Sequence, residues 1–131
     1  MNQTKTIKNV LVVDDDPVQI KLLEKTLNDE GYNVHVCEEA ADGLQTAMDQ
    51  HPDLIVLDVM MPVINGFNFC KLLKSEESKK DILILLLTSR DEEDDIKIGM
   101  EMGADAYLTK PVNIQEFLKT LRFLETMDRH S

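Results

Sequence analysis

The sequence predicts a doubly wound α/β fold built on a parallel sheet of five strands. Three observations carry that expectation. Short aliphatic runs recur along the chain, amphipathic stretches of helical length separate them, and the two alternate strictly. Such alternation makes the strands parallel, because each crossover helix returns the chain to the same end of the sheet and the helices then cover both faces.

The aliphatic runs are Val10–Val13, Val34–Cys37, Leu54–Leu57, Ile82–Leu87 and Ala106–Leu108. They read continuously rather than alternately, the pattern of strands buried on both faces. Asp16-Pro17 opens the first helix with an N-cap and a proline at its first position, and Gly31 closes it. Ile20, Leu23 and Leu27 mark its buried stripe. The second helix is expected over Ala41–Gln50, with Leu44, Ala47 and Met48 inward. The third is expected over Gly66–Lys74, with Phe67, Cys70 and Leu73, after an Asn65-Gly66 turn. Acids Asp91 to Asp95 suit the N-terminus of a fourth helix, Asp91–Met102, which Gly103 stops. Asn113 caps the fifth, where Ile114, Phe117, Leu118, Leu121 and Leu124 form a stripe. The flavodoxin-like strand order 2-1-3-4-5 follows. In that order ligands bind at the carboxyl ends of the first and third strands, where the direction of winding reverses.

A chain of 131 residues is one domain, expected to span 1–131 with a core of about 8–125, and large enough to fold without staples. Its 25 acidic residues against 14 Lys and Arg give a net charge of −11. Direct nucleic-acid binding, driven by neutralising phosphates, is therefore not expected, nor is adsorption to an anionic membrane. The two cysteines, Cys37 and Cys70, lack a metal-ligand spacing and are expected as reduced thiols. No apolar run approaches the length of a bilayer span, and the N-terminus has no signal-peptide core. A cytoplasmic protein is expected. Only Asp128–Ser131 follow the last helix, so no effector domain is expected in this chain and output should come through protein contacts.

The residues at the expected site are acids. Asp14, Asp15 and Asp16 follow the first strand and Asp58 ends the third. Helix capping accounts for Asp16. It does not account for Asp14, Asp15 and Asp58, which would repel one another in one crevice. A shared hard cation relieves such a cluster, and Mg²⁺ suits it, because it takes one or two carboxylates and keeps sites for water and phosphate oxygens. Thr88 ends the fourth strand, and Lys110-Pro111 the fifth. Carboxylates, a hydroxyl and an ammonium at successive strand ends are the parts needed to hold a phosphoryl group on an acyl oxygen. The charges balance: −3 on Asp14, Asp15 and Asp58 against +3 on Mg²⁺ and Lys110. His35, His51 and His130 are scattered and carry no expected role.

The segments VLVVDDDP, VLDVMMPVINGF, LLLTS and GADAYLTKP, in this order, resemble the four signatures of the response-regulator receiver domain of two-component phosphorelays. The resemblance implies that Asp58 is the phospho-acceptor, becoming 4-aspartylphosphate. It implies that Asp15 and Asp58 ligate Mg²⁺ directly with the backbone carbonyl of Met60, and that Asp14 acts through a bound water. Thr88 and Lys110 would contact the phosphoryl oxygens. Tyr107 would be the switch aromatic paired with Thr88, and Lys110–Pro111 a cis peptide. Met60 and Arg90 would flank the path of an attacking water. The implied donor is a sensor histidine kinase or a histidine phosphotransfer protein. The implied output is a downstream target or separate effector, met through the face of the fourth helix, fifth strand and fifth helix. A monomer or a phosphorylation-dependent dimer would serve. Self-phosphorylation and autodephosphorylation are the only catalysis implied.

The alternative from another class is a Mg²⁺-dependent phosphohydrolase with an aspartyl nucleophile. Such enzymes resemble D-x-D after the first strand, whereas here the lone Asp58 ends the third and Met60, not an acid, stands two residues on. A degenerate, phosphate-independent scaffold is disfavoured by the presence of Asp14, Asp15, Asp58, Thr88 and Lys110 together.

Overall fold

In the computed structural model, residues 7–61, 64–88, 97 and 100–127 are described. Strands β1 (Asn9–Val13), β2 (Asn33–Cys37), β3 (Leu54–Asp58), β4 (Leu83–Thr88) and β5 (Ala106–Thr109) form one parallel sheet in the order β2-β1-β3-β4-β5. Helices α1 (Pro17–Asp29), α2 (Ala40–Gln50), α3 (Gly66–Lys74) and α4 (Ile114–Glu125) pack on it, and a 3-10 turn, Glu77–Lys79, precedes β4. Most of the expected Asp91–Met102 helix, with Arg90 and the acids 91–95, lies outside the described residues, as does His130. Lys97, Met100 and Glu101 are helical.

The sheet has two faces and therefore two cores. Leu11, Val13, Ile55, Leu57, Ile84 and Leu86 point to the layer holding Ala47, Phe69 and Leu73. Val10, Val12, Leu54, Val56, Leu83 and Leu85 point to the layer holding Leu23, Leu27, Phe117 and Leu121. Side chains alternate along each strand, but both sets are buried, so the alternation vanishes from the sequence. Each of these Val, Leu, Ile and Phe side chains contributes about 1.5–3 kcal/mol by leaving water.

Burial on both faces, expected of all the strands, holds for β1, β3 and β4 only. β2 and β5 are the edges, half-exposed along much of their length, with a neighbour on one side alone. The helix ends follow local chemistry. Asp16 accepts from the Val18 N–H at 3.0 Å, and Asn113 from the Glu116 N–H at 3.0 Å. Asn65, expected in a turn, is instead the cap of α3, its Oδ1 accepting from the Asn68 N–H at 2.9 Å. Gly31, with φ of 92°, takes the left-handed position just past α1. At the far end of the molecule the Tyr32 hydroxyl donates to Glu125 Oε2 at 3.1 Å, tying α4 to the start of β2.

Candidate functional site

Strand register builds the site. Val13 pairs with Leu57, so Asp14 and Asp58 leave the sheet side by side. Asp58 pairs with Leu87, which sets Thr88 one step further along. Thr88 pairs with Thr109, which sets Lys110 one step beyond that. Residues far apart in the chain thus converge at the carboxyl ends of β1, β3, β4 and β5.

Asp14 is wholly buried, held by its own N–H donating to Cys37 O at 3.2 Å. Its Oδ1 accepts from the Asp16 N–H at 3.0 Å. Asp58 is 4% exposed, and its Oδ1 accepts from the Met60 N–H at 3.1 Å. The two carboxylates therefore share a design: one oxygen is tied by the backbone two residues on, and the other faces Lys110. Lys110 Nζ lies 3.4 Å from Asp14 Oδ2 and 3.2 Å from Asp58 Oδ2. The Lys110 N–H donates to Thr88 O at 2.7 Å, and the Lys110–Pro111 peptide is cis. Asp15 is exposed, and one oxygen each from Asp14, Asp15 and Asp58 lie within 4.8 Å of one another.

The electrostatics follow from that packing. Burial pushes the Asp14 carboxyl up to about 6, with the Asp58 charge adding to the rise; the Asp16 N–H and the Lys110 ammonium pull the other way. Burial opposes the charge on Lys110, yet Asp14 and Asp58 outweigh it and hold the ammonium above the ordinary lysine value. Asp14 Oδ2 is buried and makes no hydrogen bond among the described residues. An all-oxygen donor set, three clustered carboxylates and a buried Asp14 oxygen met by the Lys110 ammonium at ion-pair distance but by no hydrogen bond together fit a hard divalent cation.

Thr88 is 2% exposed. Tyr107 is 43% exposed and lines, with Met100, Ala106, Lys119 and Phe123, a groove of about 460 Å³ between β5 and α4. The Met60 side chain points to solvent, and Arg90 lies outside the described residues. Among the candidate site residues, Asp14, Asp15, Asp58 and Lys110 are brought together, and Thr88 stands beside them on the next strand end. Sequence reasoning passed over Gly66, whose backbone lies against Asp58 and Val59. Its only signal was a glycine at the start of the helix that follows β3.

The model of the response regulator receiver domain matches residues 10–122. The chain belongs to this family. As a receiver it is a phospho-acceptor signalling module rather than an enzyme in the ordinary sense, and receivers of response regulators interact with histidine kinases. Over 109 residues it is 43% identical to the alkaline phosphatase synthesis transcriptional regulatory protein PhoP of Bacillus subtilis, covering 83% of this chain and 45% of that protein. The receiver spans about half the length of the curated relatives it matches. Among solved structures it superposes on the chemotaxis response regulator CheY4 of Vibrio cholerae with a TM-score of 0.84 and 34% identity, over 90% of this chain and 98% of that one. The receiver domain of the sensor histidine kinase PA1611 from Pseudomonas aeruginosa gives a TM-score of 0.83 at 25% identity, over 92% and 99% of the two chains. That structure has a magnesium ion coordinated in its active-site cleft. No helix among the described residues of the present receiver is long and apolar enough to cross a membrane.

Proposed function

We propose that this receiver takes a phosphoryl group onto Asp58 from a sensor histidine kinase or a histidine phosphotransfer protein in the cytoplasm. The observation that carries the reading is the buried Asp58 carboxylate, clustered with Asp14 and Asp15 and 3.2 Å from Lys110. In the transfer an Asp58 oxygen forms a bond to phosphorus while the phosphorus bond to the donor imidazole nitrogen breaks, and the imidazole leaves with the bonding pair. Asp58 Oδ2 suits attack, since the Met60 N–H engages Oδ1. Lys110 balances charge that would otherwise accumulate on the phosphoryl oxygens, and the Thr88 hydroxyl supplies a donor from the adjoining strand end. Asp15 and Asp58, with the Met60 carbonyl, would hold Mg²⁺, and Asp14 would reach it through water. Bound there, Mg²⁺ supplies charge neutralisation and a fixed place for a phosphoryl oxygen.

The Thr88–Tyr107 pair would carry the signal outward, to the groove lined by Tyr107, Lys119 and Phe123. A mixed apolar and charged face of this kind suits a reversible partner or a phosphorylation-dependent dimer. PhoP is a transcriptional regulatory protein, but less than half of it is matched here; the net charge of −11 on these residues disfavours direct contact of the receiver itself with nucleic acid.

Intact-mass spectrometry after incubation with acetyl phosphate tests the reading. The wild-type chain should gain one phosphoryl group with Mg²⁺ and none with EDTA, and Asp58→Asn should gain none. Labelling that survives that substitution removes the assignment. Mg²⁺ should also stabilise the fold by about 1.4 kcal/mol at ten times its Kd, a rise in Tm of about 4–6 °C. Asp15→Asn should erase most of that rise; a Tm indifferent to Mg²⁺ in the wild type would speak against a metal site.

A further inference from the structure

We infer that Gly66 is a positioning residue for the acceptor: lying flush on the Asp58–Val59 peptide, it fixes where Asp58 presents its carboxylate. The inference rests on the phosphoryl-acceptor reading above.

Gly66 is buried at the first position of α3, and its φ is not positive, so its conformation does not call for glycine. Space does. A Cβ at this position would lie 2.8 Å from Val59 Cα, 3.1 Å from Asp58 O and 3.4 Å from Val59 N. All three are backbone atoms, which cannot rotate aside. The Gly66 N–H donates to Val59 O at 2.9 Å, and the Val59 N–H donates to Leu87 O at 2.9 Å. The peptide after Asp58 is therefore clamped between the start of α3 and the end of β4. The next N–H, of Met60, holds Asp58 Oδ1 at 3.1 Å. One clamp thus sets both the chain path from 58 to 60 and the rotation of the carboxylate. A side chain at position 66 must push α3 or this loop away by several tenths of an ångström. Reacting groups have to be held within about 0.5 Å, and a displacement of about 1 Å can slow chemistry about 10²-fold.

The test compares the full chain, Gly66→Ala and Leu124→Val. Leu124 is buried in the opposite core layer, so its truncation lowers stability without touching the site. Alanine is a better helix former than glycine, which offsets part of the steric cost in the first variant. At saturating acetyl phosphate and Mg²⁺, Gly66→Ala should label about 10- to 100-fold more slowly and need more Mg²⁺ to reach half its rate. Leu124→Val should keep both wild-type values despite its lower Tm. In a Mg²⁺ titration of the wild type by amide NMR, Gly66 and Val59 should shift with the same midpoint as Asp58. Wild-type labelling by Gly66→Ala, rate losses that simply track stability in both variants, or a Gly66 amide unmoved by Mg²⁺ would each overturn the positioning role. A wild-type chain that takes no phosphoryl group would instead overturn the acceptor reading, with the amide titration still reporting on Gly66.

Discussion

In EDTA, Asp14→Asn is expected to stabilise the fold by about 1–3 kcal/mol at pH 8 and to change it little at pH 4. Burial lifts the Asp14 carboxyl from 3.8 to about 6 in the folded chain. Below pH 3.8 the folded and unfolded chains both carry the proton. Between 3.8 and about 6 the folded chain binds more protons than the unfolded one, so stability falls as pH rises through that window, and the loss is complete above it. Asparagine keeps the oxygen that accepts the Asp16 N–H and removes the charge that burial penalises. Its amide faces Lys110, which trims the gain below the full linkage value. Urea melts at both pH values measure the difference. Parallel pH profiles for the two proteins would show that Asp14 is not the strained group.

Lys110→Met is expected to have the opposite sign, costing about 2–4 kcal/mol at pH 8. Among the described residues, Lys110 is the cation within ion-pair distance of both Asp14 Oδ2 and Asp58 Oδ2. Its removal leaves two buried carboxylates facing each other without a counter-charge, and the partial exposure of the lysine keeps the cost near the lower end for a buried pair. The cost should shrink toward pH 4, as the Asp14 carboxylate takes up a proton, and shrink again in the Asp14→Asn background. Acetyl phosphate labelling should slow about 10²-fold, since the developing charge loses a fixed donor. Equal melts for Lys110→Met and wild type would contradict the pairing.

The parts of this receiver that the sequence makes legible are those written in local pattern. Val10–Val13 and Leu54–Leu57 announce buried strands, and the acids directly after them announce the site, because strand ends in this topology meet at one rim. What stays hidden depends on spatial neighbours. The edge positions of β2 and β5 leave them half-exposed although their residues resemble those of the central strands. Asp14 and Asp15 are adjacent acids, yet one is buried and the other exposed, because the Asp14 N–H still bonds to Cys37 O whereas Asp15 stands in the bend that leads to α1. Asn65-Gly66 has the composition of a turn, but Asn65 caps α3 and Gly66 packs on the backbone beside Asp58, a close approach no one-dimensional pattern encodes.

The central claim, that Asp58 is the residue phosphorylated, is tested most directly by mapping the phosphoryl group. The chain is labelled with acetyl phosphate and Mg²⁺, the acyl phosphate is reduced with borohydride, and the peptides are sequenced by mass spectrometry. The account predicts homoserine at position 58 and unmodified aspartate at 14 and 15. Homoserine at 14 or 15, or a stable phosphate on His35 or His51 with position 58 intact, would contradict it.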